Sequence, residues 1–226
     1  MSLALAARFA RRELRGGLRG FRIFLACLAL GVAAIAAVGT VRAAIEAGLA
    51  SEGAALLGGD AELELTYRFA NEDERAWMRS KAQRVAEIAE FRSMAVVGAE
   101  RGLTQVKAVD NLYPLIGAVK LDPDMTITAA LAPQDDVPGA VMERVLIDRL
   151  GLEIGDTFKL GTQDFRLSAQ LVNEPDSAGG GFGLGPRTIV LTQALKTSGL
   201  LEAGTLFSSK YRLDLPEGAD LDALSA

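Results

Sequence analysis

The sequence predicts an α+β domain carried behind one N-terminal membrane helix, and three observations predict it. An uncharged apolar run fills Ile23 to Val41, strand-like and helix-like apolar patterns follow from about Asp60, and charge is split sharply between these parts. The 226-residue chain has a formal net charge of −5, no histidine and one cysteine. Residues 1–42 hold seven arginines against the single acid Glu13, so the head carries +6 and the remainder −11. Such a split marks a surface that sorts charge, either a membrane or a nucleic acid. The acidic remainder would be repelled by a phosphate backbone, and only Phe9 and Phe21 interleave the basic head, so no nucleic acid is expected as a partner.

The run IFLACLALGVAAIAAVGTV lies between Arg22 and Arg42. Nineteen helical residues rise roughly 28 Å, close to the ~30 Å hydrocarbon core of a bilayer. A cleaved signal has a shorter apolar core of roughly 7–15 residues. Arg11-Arg12 imitates a twin-arginine signal, but more arginines intervene before the apolar run begins. Cys27 follows Phe24-Leu25-Ala26, a poor lipobox, and Val41-Arg42-Ala43 only imitates a cleavage site. A retained span is the expectation. Six arginines precede it and one follows, which places the N-terminus in the cytoplasm and the main domain outside.

Before the span, Arg8, Arg11, Arg12, Arg15, Arg19 and Arg22 share one helical sector about 100° wide, with Leu3, Ala6, Phe9, Ala10, Leu14, Leu18 and Phe21 outside it. This is an amphipathic basic segment suited to the cytoplasmic leaflet, its arginines toward anionic lipids. Gly16 and Gly17 each cost roughly 1 kcal/mol inside a helix and favour a bend there. An elbow helix coupled to a cytoplasmic partner and a plain topology signal both fit this pattern. Within the span, Ala29, Ala33 and Ala37 recur every four residues, with Gly31 and Gly39 on a neighbouring stripe. Small residues at that spacing let membrane helices approach closely, whereas a passive anchor would be richer in leucine.

Beyond the span, DAELEL alternates at Ala61, Leu63 and Leu65 as a half-buried strand. The stretch NEDERAWMRSKAQRVAEIAEF opens with an Asn71 cap and Glu74 three residues on, a capping box for a helix presenting Trp77 and Met78. Strand-like runs follow at Ser93 to Val97 and Leu103 to Val109. Pro114, Pro123, Pro133 and Pro138 punctuate a loop-rich middle with one short helix near Thr126 to Leu131. Val145 to Leu150 predicts a short helix closed by Gly151. Phe158 and Leu160, a turn at Gly161-Thr162, then Phe165, Leu167, Ala169 and Leu171 predict a β-hairpin. A strand near Thr188 to Leu191, a short helix from Thr192 and a final strand around Ser209 to Leu215 complete the α+β pattern.

Catalytic chemistry finds little footing. Without histidine there is no Ser-His-Asp or Cys-His arrangement, and most zinc sites are removed. Cys27 alone can form no internal disulfide. AGGGFGLGP places Gly181, Gly183 and Gly185 in a glycine-rich loop, but no helix and no Gly-Lys-Ser/Thr follow. Asp135-Asp136 and Glu72-Asp73-Glu74 lack calcium-loop spacing and read as solvated acids. Ser208, Ser209 and Lys210 abut a strand pattern and do not read as a dyad. No catalytic residue, no metal ligand and no cofactor site is expected in this chain.

ARFARRELRGG, the Gly/Ala-rich span, LLGGDAELEL, LGLEIGDTFKLGTQDFRL and NEPDSAGGGFGLGPRTIVL together resemble an ABC-transporter permease of the FtsX/MacB type, in the larger branch with two such units and about ten spans. The resemblance covers essentially the whole chain. It divides the chain into a cytoplasmic basic segment (1–22), a transmembrane helix (23–41), a linker (42–59) and a periplasmic MacB-like core domain (60–226) in the bacterial inner membrane. It implies a separate cytoplasmic ABC ATPase subunit that holds the ATP, further transmembrane helices, a periplasmic partner, and export or extraction of a lipid-linked or hydrophobic substrate. The family needs further spans after the domain, whereas this sequence stops at DLDALSA, so an N-terminal fragment is expected. A bitopic anchor with an extracytoplasmic binding or scaffold domain explains the topology equally well, but not the small-residue stripe. A membrane-tethered enzyme is the third reading, weakened by the missing histidine.

If the stripe packs against another helix, Ala33→Leu in the full-length protein should cost about 1–3 kcal/mol of helix association. Transport-linked activity should fall while the amount in the membrane holds. Val32→Leu, off the stripe, should be mild; equal activity of the two variants would show that the stripe faces lipid.

Overall fold

Alternating apolar residues build most of the domain, because side chains in a strand point to opposite faces in turn. The structure, a computed structural model, describes residues 9, 22–45, 48, 58–176, 185–201, 205–216 and 219. The chain divides into two units, Met1–Ser51 and Glu52–Ala226.

The first unit contains helix α1 (Arg22–Ile45), long and apolar enough to cross a membrane, with a mean hydropathy of 2.4 and no buried residues. It continues past Val41 because Arg42, Ala43 and Ala44 do not interrupt helical geometry. Thr40 returns its hydroxyl to the Ala36 carbonyl at 2.8 Å, leaving no unbonded donor on that side chain.

The second unit is one mixed sheet. Its strands are β1 (Ala61–Thr66), β2 (Arg84–Val97), β3 (Glu100–Val109), β4 (Lys120–Asp122), β5 (Gly139–Glu143), β6 (Thr157–Leu160), β7 (Gln163–Asn173), β8 (Arg187–Leu191) and β9 (Phe207–Asp214). Helices α2 (Glu72–Lys81), α3 (Ile127–Leu131) and α4 (Arg144–Leu150) pack against it, and a 3-10 turn occupies Thr192–Leu195. The order is β1-β9-β2-β3-β8-β5-β7-β4. Short β6 pairs with both β7 and β2, so β2, β3, β8, β5, β7 and β6 close into a ring. Inside lie Phe91, Val106, Met142, Phe158, Phe165, Leu167 and Val190, joined by Leu146, Ile147 and Leu150 of α4. On the opposite face, Ile88, Val109, Val141 and Ile189 pack with α3. A third cluster sets Met78 of α2 against Tyr211 and Leu213 of β9.

The predicted α+β pattern is present, with two corrections. The helix capped by Asn71 forms with its full capping box but ends at Lys81, and Arg84 begins a 14-residue strand. The VAEIAEF stretch is built of good helix formers, yet β2 pairs along its length with β9 and β3. Tertiary pairing overrides a weak local preference. The loop-rich middle also holds two strands, β4 and β5. Both are short, and β5 is buried throughout most of its length, so it shows no alternation to betray it.

Gly139 is the tightest junction of this layer: a methyl group there would run into the Ala130 carbonyl of α3 and crowd the Ser168 hydroxyl. Gly139→Ala should therefore push α3 off the sheet and destabilise the domain by about 1–3 kcal/mol. Chemical denaturation of the full chain in detergent checks this, with Gly98→Ala, where the space is open but the backbone φ is +55°, as the comparison for a conformational cost alone.

Candidate functional site

Lys107 sits between Val106 and Ala108 in β3, so its side chain points away from the core of the ring, to the outer sheet face. Arg187 of β8 and Arg212 of β9 share that face through their strand registers. All three side chains are buried. A buried cation needs anions and hydrogen bonds, because desolvation alone costs several kcal/mol per ion.

The turn after β7 supplies them. Lys107 Nζ donates to Asp176 Oδ2 at 2.6 Å and to Glu174 Oε2 at 2.9 Å. Arg187 pairs with Glu174, and Arg212 pairs with Asp176. Tyr113 receives Lys107 at 3.2 Å and donates its own hydroxyl proton to Asp176 Oδ1 at 2.9 Å. Arg212 reaches on to Glu62 of β1 at 3.0 Å, and Lys210 joins Glu90 at 3.1 Å and Glu62 at 3.9 Å. Four cations, Lys107, Arg187, Lys210 and Arg212, thus face four carboxylates, Glu62, Glu90, Glu174 and Asp176.

Electrostatics favour the charged forms of Asp176 and Arg212. Burial works against the Asp176 carboxylate, yet Lys107 and Arg212 more than offset it and hold its pKa at about 2. Burial, then Asp176 and Glu174, push the Tyr113 hydroxyl far above the usual phenol range, so it remains a donor. For Arg212, burial opposes the charge, and Asp176 and Glu62 outweigh it to raise the pKa. With its ions so thoroughly buried, the cluster is a clamp rather than a ligand pocket.

It lies where Gly58 and Gly59, just before β1, pass the end of β9. Gly58, at φ +72°, brings its Cα against Arg212 and the Asp176 side chain, where a Cβ would collide with the guanidinium. Asp60 accepts from the Leu215 amide at 2.8 Å and donates its own amide to the Leu213 carbonyl at 2.9 Å. Gly117, at φ +83°, leaves room for Pro175, whose Cβ would lie 2.6 Å from an added methyl. Gly58-Gly59-Asp60 and NEPD, parts of two stretches that carried the family resemblance, therefore meet at one point.

Of the residues singled out from the sequence, Arg8, Arg11, Arg12, Arg15 and Arg19 lie outside the described residues. Arg22 begins α1, and Ala29, Ala33 and Ala37 are exposed along it. Gly181 and Gly183 are also outside the described residues, while Gly185 precedes β8. Ser209 donates to the Arg68 carbonyl at 2.7 Å and Lys210 engages Glu90, so these neighbours in β9 serve different contacts. Among the described residues, no group of three His, Cys, Asp or Glu side chains is placed to hold a metal ion. The ion cluster itself escaped the sequence reading. Its visible signal was Lys107 inside an otherwise apolar strand pattern.

Over 188 residues the chain is 27% identical to YbbP of Escherichia coli K12, described as an uncharacterized ABC transporter permease. The match covers 82% of this chain and 22% of that protein, so the chain spans about a fifth of the length of the curated relative it matches. No family model matches the sequence. Among solved structures, the domain is similar to the extracellular domain of the noncanonic ABC-type transporter YknZ from Gram-positive bacteria, at a TM-score of 0.48 and 11% identity, covering 73% of this chain and 87% of that one. It is also similar to the periplasmic region of MacB from Actinobacillus actinomycetemcomitans, at a TM-score of 0.46 and 12% identity, covering 74% of this chain and 81% of that one. The similarity to an ABC transporter permease thus extends over most of the chain, and with α1 it supports a membrane location.

Two outcomes test the clamp. Asp176 at about 2, against an ordinary 3.8, contributes stability that is present above pH ~4 and is lost as pH falls toward 2, worth about 2 kcal/mol. Asp176→Asn should abolish that part of the acid dependence and cost about 3–5 kcal/mol at neutral pH. Lys107→Met with Asp176→Leu should recover part of the loss, a coupling that a double-mutant cycle of melting curves measures.

Proposed function

We propose that this chain is the first membrane helix and first extracytoplasmic domain of an ABC-transporter permease. The 188-residue similarity to an ABC permease carries the reading. In it, a cytoplasmic ATPase subunit binds and hydrolyses ATP, and the basic segment before α1 lies on anionic lipid beside it. The arginine imbalance across α1 supports a cytoplasmic N-terminus and an outward-facing domain. Motion in the membrane helices then reaches the domain through the chain ends at Gly58 and Leu215. The ion clamp ties both ends to the turn at Glu174–Asp176, so a pull on either moves the sheet as one body. The work done outside is export or extraction of a lipid-linked or hydrophobic substrate.

The chain itself should neither bind nor hydrolyse ATP. Co-expressing the full-length permease with its candidate ABC ATPase should give a membrane complex that turns over ATP. Asp176→Asn, if it still inserts, should leave the complex assembled but weaken coupling between hydrolysis and domain movement, read by spectroscopic distances across the domain. ATP turnover by the purified chain alone, or failure of every ABC ATPase to associate with the full-length protein, would overturn the reading.

A further inference from the structure

Helix α2 is ten residues long, yet Met78 is its one buried side chain. The shorter helices α3 and α4 each bury three. Met78 rests on Tyr211 of β9, and a hollow lies on either side of that contact. One, of about 300 Å³, runs along Leu63, Leu65 and Trp77; the other, of about 270 Å³, runs along Arg79, Val85 and Glu87. A helix seated between two hollows lacks the interlocked flanks that hold core elements in place.

Polar attachments to the sheet are few. Arg75 pairs with Glu87 of β2 at 2.8 Å and donates to the Ala70 carbonyl at 3.0 Å, and the Ala70 amide donates to the Tyr211 hydroxyl at 2.8 Å. The Arg75 side chain is 36% exposed, so water and salt screen this pair in part. The other bonds of the helix are local: the Asn71–Glu74 capping box, Arg68 with Glu74, and Arg79 with Glu72. They favour the helix without fixing it to the sheet. Ten residues are too few to hold a helix in water unaided, so release from the sheet also melts it. The flanks, by contrast, are tied down. Ser209 donates to the Arg68 carbonyl, the Phe69 and Phe207 ring centres lie 4.9 Å apart, and the Gln83 amide donates to the Asp214 carbonyl at 2.8 Å.

We infer that residues 71–82 are a releasable flap, which opens as one unit between these anchors while the sheet stays paired and the ion clamp closed. Tyr211 and Leu213 alternate with Lys210 and Arg212 along β9, so the flap and the clamp occupy opposite faces. The Arg75–Glu87 pair is the latch. Opening joins the two hollows into one cleft floored by Leu63, Tyr211 and Leu213, an apolar surface that the closed flap covers. This device stands independently of the transport reading.

Hydrogen exchange of the full chain in zwitterionic detergent, followed by mass spectrometry in rising sub-denaturing urea, tests it. Amides of residues 75–82 should show protection at least about a hundredfold below those of β2 and β3. Their rates should hardly respond to urea, because a local opening exposes little surface, whereas those of the strands should climb. Arg75→Gln should speed exchange of the flap about three- to fivefold and leave β3 unchanged. Arg79→Gln, which breaks an exposed pair inside the helix, should change it about twofold at most. The inference is overturned if α2 matches β3 in protection or in urea dependence, or if Arg75→Gln loosens β3 as much as α2. Equal effects of Arg75→Gln and Arg79→Gln would remove the latch and overturn it too.

Discussion

A lysine with its side chain almost wholly removed from water, Lys107, sets the terms for much of this domain. Its charge cannot be left alone on the outer sheet face, so the turn after β7 must return with Glu174 and Asp176 in place. Those carboxylates in turn accommodate Arg187 and Arg212, and Arg212 draws in Glu62 of the first strand. One constraint propagates through four strands and a turn, spanning sequence separations as large as 150 residues. Against a hypothetical apolar replacement, such a network contributes little net stability. Its consequence is geometric: the turn, β1 and β9 meet so that each of these buried charges has a partner.

That geometry holds the segment before β1 beside the end of β9. The sheet carries its apolar core within the closed ring and a second apolar layer under α3. The ion cluster tolerates small shifts between strands poorly, because moving one partner strands another buried charge. Asp60 adds a backbone lock across the same ends through Leu213 and Leu215. The start of β1 and the end of β9 are thereby held to one another, and β1 lies at the limit of the sheet.

Local patterns were legible wherever the chain alone determines them. The capping box at Asn71 and Glu74, the hairpin of Phe158 to Leu171 and the Gly151 helix end rest on neighbouring residues, and they form as read. Strand β2 was partly misread because alanine and glutamate favour a helix until two partner strands claim their backbone groups. Strands β4 and β5 were missed for want of length and alternation. The ion cluster was hidden for a different reason. Lys107, Glu174, Arg187 and Arg212 are each unremarkable in sequence, and nothing local states that they will share one dry face.

By itself, then, the sequence determined the apolar helix, the split of charge around it, the α+β character of the domain and the resemblance that LLGGD and NEPD carry. Periodicity, caps and turns act over a few residues, and a span is an unbroken run, so each can be read along the chain. Only the tertiary structure decided that β6 closes the ring, that Gly58 and Pro175 flank the same ion cluster, and that β1 pairs, among the described residues, with β9 alone. Those outcomes depend on which distant strands pair, and pairing is settled by the combined burial of faces and charges that the linear order keeps apart.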